Sequence, residues 1–247
     1  MTGNSLRARG TRAAHLYKAL FRQHHTELRP LLAKLIGKDA TVLDVGAHAG
    51  QFAKLFAKLA KDGTVYAFEP SPYARAILTT VVRLKRLYNV RVVTAGVGAE
   101  PGTLSLQTPI KASGSLGFGL AHFGDSERRE PLQRTEVPVT TLDAFCAEHD
   151  LRPSFIKADI EGWELQMLRG ATTVLRDARP ALILEVVDSH LHRAGDSRAA
   201  LFRFLADAGY DRFAVSGSAL RPSSDDAGDD DYLFIAAGDP RRGALGI

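Results

Sequence analysis

Hydrophobic positions along this chain alternate between two periods. Short apolar runs bounded by polar residues stand at 41–45, 64–68, 90–93, 154–160 and 181–187, as expected of parallel strands buried on both faces. Stretches with helical spacing lie at 51–61, 71–88, 141–149, 164–168 and 197–208. Ser71 and Pro72 form a cap and first-turn proline for the second of these, with Ala76, Ile77, Val81, Leu84 and Leu87 as its buried candidates. Gly209 ends the last one. Two final strands follow at 212–215 and 232–236, joined by an acidic turn at 221–231. Ahead of the first strand, 11–36 reads as one or two helices interrupted or restarted at Pro30.

Strand–helix alternation of this kind predicts an α/β fold, with a Rossmann-like sheet of about seven mostly parallel strands and helices on both faces. A helical segment, 1–36, precedes the main domain, 37–247, and is placed to cover a sheet edge or roof a pocket. His24 and His25 in that segment point in different directions on a helix and read as surface residues. The rhythm breaks between the third and fourth strands, at about 100–140. Residues 102–108 alternate like an exposed strand, and 135–139 is its expected hairpin partner. Between them, 111–124 is rich in Gly and Ser with Phe118, His122 and Phe123 interleaved, and 125–134 is charged. A substrate lid and a solvated hairpin both fit this insert.

Composition narrows the class. Hydrophobic residues make up 45% and charged residues 24% of 247 residues, which supports a packed core rather than disorder. One cysteine, Cys146, excludes an intramolecular disulfide framework. No apolar run approaches the roughly 20 residues of a membrane span. A net charge of +4 is not by itself a nucleic-acid footprint. Arg7, Arg9, Arg12, Lys18 and Arg22 precede the first acid, a pattern shared with transit peptides, but a cytoplasmic enzyme with a frayed tail is the simpler expectation.

The candidate chemistry starts at 41–50, T-V-L-D-V-G-A-H-A-G. A strand ending on Asp44 breaks at Gly46 and feeds a helix, so glycines allow close backbone approach and the helix offers unpaired N–H groups. Glu69 closes the next strand about 20 residues after the glycine turn, where an acid accepts from ribose hydroxyls. Only Gly46 and Gly50 of a G-x-G-x-x-G pattern are present, and Asp44 would repel a pyrophosphate. A ligand with a ribose and a cationic amino acid end fits better, and the stretch resembles the glycine-rich motif of class I methyltransferases. Asp44 serving only as a helix cap is the plain alternative.

The second informative stretch is 157–164, K-A-D-I-E-G-W-E. Strand alternation turns Lys157 and Asp159 to one face, with Glu161 just beyond. Two carboxylates beside a lysine can position a hydroxyl, act as base or hold a divalent cation; a salt-bridged strand end is the plain alternative. With V-L-D-V-G-A-H-A-G, F-E-P-S-P, V-P-V-T-T-L-D, F-I-K-A-D-I-E-G-W-E with L-R-G-A, and L-I-L-E-V in this order, the chain resembles the FkbM-type methyltransferases over about 41–187. The resemblance implies S-adenosylmethionine as cofactor and transfer to a hydroxyl of a sugar, glycolipid or polyketide-like metabolite. It implies cofactor contacts from Asp44, Gly46, Ala47, His48, Gly50, Glu69, Pro70 and Ser71, and catalytic roles for Asp159, Glu161 and Lys157. Asp159 is the first choice for base or metal ligand, with Glu185, His48 and His122 behind it, and a divalent metal stays open. Many relatives have a His very soon after the glutamate of the fifth strand; here His190 follows Glu185 at a distance, which argues against a catalytic role. An RNA methyltransferase, a nicotinamide dehydrogenase and a non-catalytic cofactor-binding protein are the rival readings.

Overall fold

The computed structural model describes residues 3–110, 122–123, 132–223, 228 and 230–247, with side chains from residue 10 onward. Most of the Gly- and Ser-rich stretch with Phe118, most of the charged stretch after it and much of the acidic turn at 221–231 lie outside the described residues. The chain opens with α1 (Gly3–Phe21), a 3-10 turn (Thr26–Leu28) and α2 (Arg29–Leu35). A βαβαβ unit follows: β1 (Thr41–Val45), α3 (Gln51–Leu59), β2 (Thr64–Phe68), α4 (Pro72–Leu84) and β3 (Val90–Val93). The insert supplies β4 (Gly96–Val97), β5 (Gly102–Pro109) and β6 (Leu132–Thr140). The second half runs α5 (Leu142–Glu148), β7 (Phe155–Ala158), α6 (Glu164–Arg169), α7 (Thr172–Asp177), β8 (Ala181–Val186), α8 (Asp188–Arg193) and α9 (Arg198–Asp207). It closes with β9 (Tyr210–Ser216), β10 (Ala219–Pro222), β11 (Asp230–Ala236) and α10 (Arg242–Leu245).

The main sheet has eight strands in the order β10-β9-β11-β8-β7-β1-β2-β3. From β3 to β8 they are parallel; β11 runs antiparallel to both neighbours. The eighth strand is β10, which pairs with β9 where the sequence suggested only a turn. Other boundaries also moved. α1 is helical from Gly3, well before residue 11 and in place of a frayed tail. α4 stops at Leu84, because Lys85 and Arg86 close the last turn, and this leaves Tyr88 exposed. β4, β6 and β5 form a separate three-stranded sheet, with 102–108 and 135–139 paired as expected.

Strand parity separates two apolar layers. Val42, Phe155, Ile183 and Leu233 face α2 and α3, where Phe56 stands edge-on to Phe155 at 5.6 Å between ring centres. Leu43, Val45, Ile156, Ala158, Leu182 and Leu184 face α5–α9. Each fully buried phenylalanine stabilises the fold by about 2–3 kcal/mol. The same parity decides the site. At the carboxyl ends of the strands, Asp44, Lys157, Asp159, Glu185 and Asp231 all take the α2/α3 side. A charged tier therefore caps the apolar tier on one face of the sheet, at the edge where open α/β sheets bind ligands.

Candidate active site

A cleft of about 250 Å³ opens at that edge, at the small end of ligand sites. Gly46, Ala47, His48, Glu69 and Pro70 form one wall. Lys157, Asp159, Ile160 and Glu161 form another, and Leu106, His122 and Phe123 of the insert close over them. The loops after β1 and β7 touch directly. Gly46 has φ 80° and a Cβ there would lie 2.0 Å from the Asp159 carbonyl oxygen, so only glycine fits. Gly162, at φ 100°, is pressed equally close to the His190 carbonyl. His48 and Glu161 hold left-handed backbone at φ 49° and 58°.

Glu69 is buried, and each of its oxygens accepts one backbone N–H: Oε2 from His48 at 2.8 Å and Oε1 from Ser71 at 2.8 Å. The carboxylate is thus aimed at the cleft, and each oxygen retains acceptor capacity. Burial pushes its pKa up to about 7 against the lowering effect of those N–H groups. Asp44 is fully buried, does not line the cleft, and its two oxygens have no hydrogen-bond partner among the described residues. Burial raises it to about 7, opposed by the nearby Lys157 charge. A direct contact between Asp44 and a ligand, expected from the motif, is therefore replaced by a carboxylate set one tier behind the wall. Gly50 and Ser71 also stand outside the lining. Gly50, at φ 83°, turns the chain into α3 against Leu78. The Ser71 N–H holds Glu69, while its hydroxyl caps α4 at the Ala74 N–H.

On the opposite wall, Lys157 Nζ donates to Asp159 Oδ2 at 3.0 Å and sits 4.8 Å above the Phe52 ring. Burial acts to raise Asp159, but the Lys157 charge and hydrogen bond, with a hydrogen bond from Glu185, hold it below the ordinary range. Burial and the Asp159 charge push Glu185 up. Glu161 Oε2 lies 3.5 Å from His190 Nδ1 and 3.7 Å from Arg193 Nη2. His190 therefore backs Glu161 rather than lining the cleft. Glu164 accepts from the Ile160 N–H at 2.9 Å and fixes the turn after β7. His48 is pushed down to about 4 by burial and is neutral at pH 7.

Sequence reasoning missed His25, Gln51, Phe52 and Leu106 as lining residues. His25 reaches the cleft through left-handed backbone at φ 60° and stacks on Phe52 at 4.5 Å, while remaining exposed at the surface as expected. Its neighbour Gln23 donates to the Gln51 carbonyl, so the amino-terminal segment does roof the cleft. No short motif marks that contact. Among the described residues, no group of three His, Cys, Asp or Glu is arranged to hold a metal, and no helix is long and apolar enough to cross a membrane.

The sheet order and the glycine turn opposite a strand-end acid define a methyltransferase-type α/β fold. The sequence model of the FkbM methyltransferase domain matches residues 44–212, and the chain belongs to that family. It is 27% identical over 167 residues to Methyltransferase 1 of Beauveria bassiana, spanning 61% of this chain and 66% of that protein. The FkbM methyltransferase of Methylobacillus flagellatus superposes with a TM-score of 0.54 at 20% identity, over 81% of this chain and 44% of that one. A putative rRNA methylase from Clostridium thermocellum gives 0.50 at 12% identity, over 87% and 94%, a likeness of fold alone.

The residues present fit S-adenosylmethionine. Glu69 offers two directed acceptors, the Gly46 turn leaves a close backbone approach, and a buried carboxylate with no hydrogen-bond partner among the described residues stands behind it.

Proposed function

We propose that the protein is an S-adenosylmethionine-dependent O-methyltransferase acting on a hydroxyl of a small molecule or glycan. The observation that carries this reading is the pairing of Glu69 and Asp159 on two walls of one cleft. When bound, the cofactor supplies an electrophilic methyl group. Glu69 accepts from its ribose hydroxyls, with Gly46, Ala47, His48 and Pro70 forming the surface against it. Asp44 favours the cationic end through its field rather than by contact. Asp159, which lines the cleft, takes the proton of the acceptor hydroxyl. Lys157 fixes that carboxylate. Glu161, braced by His190 and Arg193, borders the acceptor side. Leu106, His122 and Phe123 exclude water, and the insert to which they belong sets acceptor preference. The segment 1–36 acts as a roof through His25, and 37–247 carries the chemistry.

Incubation with a methyl-labelled donor and pools of hydroxylated metabolites and glycans, with and without magnesium, tests the reading. A labelled methyl ether is expected. Asp159→Asn should lower turnover at least about 100-fold while leaving donor affinity within about threefold. Labelling confined to RNA, or an unchanged rate in the variant, would overturn the acceptor class or the base respectively.

A further inference from the structure

A second cleft, of about 270 Å³, lies where the end of α1 meets α3 and the chain just after α4. Its lining is Leu20, Phe21, Arg22, Gln23, Lys54, Lys58, Lys85 and Leu87, four cations on an apolar floor with no carboxylate. The described parts of the helices that meet here, α1, α3 and α4, carry Arg12, Lys18, Lys54, Lys58, Arg75 and Arg83 and no Asp or Glu.

The large hydrophobic side chains most exposed to solvent among the described residues gather at the same place. Tyr17 and Phe21 are 61% and 68% exposed on α1, and Leu84 and Tyr88 are 59% and 78% exposed at the end of α4. Tyr17 and Phe21 meet at 4.9 Å between ring centres, and Lys85 Nζ lies 5.3 Å from the Phe21 centroid, which joins the two helix ends into one surface. Lys54 is buried and donates to the Ala19 and Arg22 carbonyls at 2.6 and 2.8 Å, closing the end of α1. Burial, then the Lys85 and Lys58 charges, push Lys54 down to about 8. Like charges held this close call for an anion.

We propose that this surface docks on an anionic membrane, with phosphate headgroups in the basic cleft and Tyr17, Phe21, Leu84 and Tyr88 at the headgroup–acyl boundary. Aromatic rings rimmed by Lys and Arg suit that boundary, where one end of each side chain is apolar and the other wet. A single-stranded RNA would instead need ring faces free for stacking, whereas Phe21 carries Lys85 Nζ 5.3 Å from its centroid and tilts against Tyr17. α3 contributes Gln51 and Phe52 to the active cleft and Lys54 and Lys58 to this one. Docking therefore brings the catalytic cleft beside the bilayer, in reach of membrane-borne acceptors, whatever their chemistry.

Co-sedimentation of the full chain with vesicles tests the proposal. Binding is expected to phosphatidylcholine vesicles carrying about 30% phosphatidylglycerol, with little binding to phosphatidylcholine alone, and about 0.5 M salt should release it. Lys58 and Lys85 are exposed, and Gln keeps a polar side chain at each, so Lys58→Gln and Lys85→Gln are expected to fold. Each should weaken vesicle binding about fivefold, the equivalent of about 1 kcal/mol per basic residue. Tyr88→Ser should weaken it without changing its salt dependence. Equal binding to neutral vesicles, indifference to both lysine substitutions, displacement by millimolar inorganic phosphate, or tighter binding to single-stranded RNA than to vesicles would each overturn the proposal. Donor affinity, measured separately, reports on the active cleft independently.

Discussion

The two ends of the sheet make opposite use of charge. At the amino-terminal edge of the strands lies an open cleft of about 780 Å³, lined by residues including Leu35, Ser154, Arg179, Asp239 and Arg241. It is larger than the active cleft, yet its central charges are paired. Arg241 donates to both oxygens of Asp239 and to the carbonyls of Leu35 and Ser154 at 3.0 and 2.8 Å, tying α2 and the loop before β7 to the carboxyl terminus. Burial acts to raise Asp239, but Arg241 holds it below the ordinary carboxylate range. At the carboxyl-terminal edge, Asp44 has no hydrogen-bond partner among the described residues, Glu69 and Glu164 are pushed up to about 7, and His25, His48 and Glu161 bend into left-handed backbone. Volume alone would have selected the wrong end. Incompletely answered charge is what a fold retains where a ligand completes it, whereas left-handed backbone also occurs at Arg179 in the amino-terminal cleft, at φ 47°.

Changing one residue at each end sharpens the contrast. Glu69→Ala should weaken S-adenosylmethionine binding roughly a hundredfold or more, since two charge-assisted bonds at about 1.5–3 kcal/mol each are lost. Isothermal calorimetry measures this, and an affinity within threefold of the parent would remove Glu69 from the ribose site. Arg241→Ala should destabilise the fold by about 3 kcal/mol, because it leaves Asp239 and two carbonyls uncompensated. Urea denaturation reads the loss, and donor affinity should not move. A smaller effect is expected with pH. The unfolded carboxyls titrate near 4, but folded Asp44, Glu69 and Glu164 keep their protons to about 7. Their stabilising contribution is complete below about pH 4 and is lost as pH rises toward 7. The melting temperature should therefore fall between about pH 4 and pH 7 and level off above. Glu164→Gln, which keeps an acceptor for the Ile160 N–H, should flatten that slope; an unchanged slope would mean that Glu164 is ionised in the fold.

Much of the frame was legible because its signals are local. The first three strands ended within the bounds that short apolar runs set, and Ser71, Thr141 and Ser197 each cap the helix that follows them. The glycine turn and Glu69 could be placed at one edge because parallel strands joined by helices bring their carboxyl ends together. β10 was not legible: an eighth strand on the sheet edge is decided by the pairing it finds on β9, not by its own composition. His25, Phe52 and Leu106 were equally silent, since each reaches the cleft from a different part of the chain.

Sequence alone determined where the backbone must turn, which residues end strands and which acids stand at those ends, because these depend on neighbours within a few positions. Only the tertiary structure decided that Glu69 faces the cleft while Asp44 lies behind it. That choice rests on what packs over each carboxylate, and the groups concerned, Lys157, His48 and the insert, come together only when the strands align.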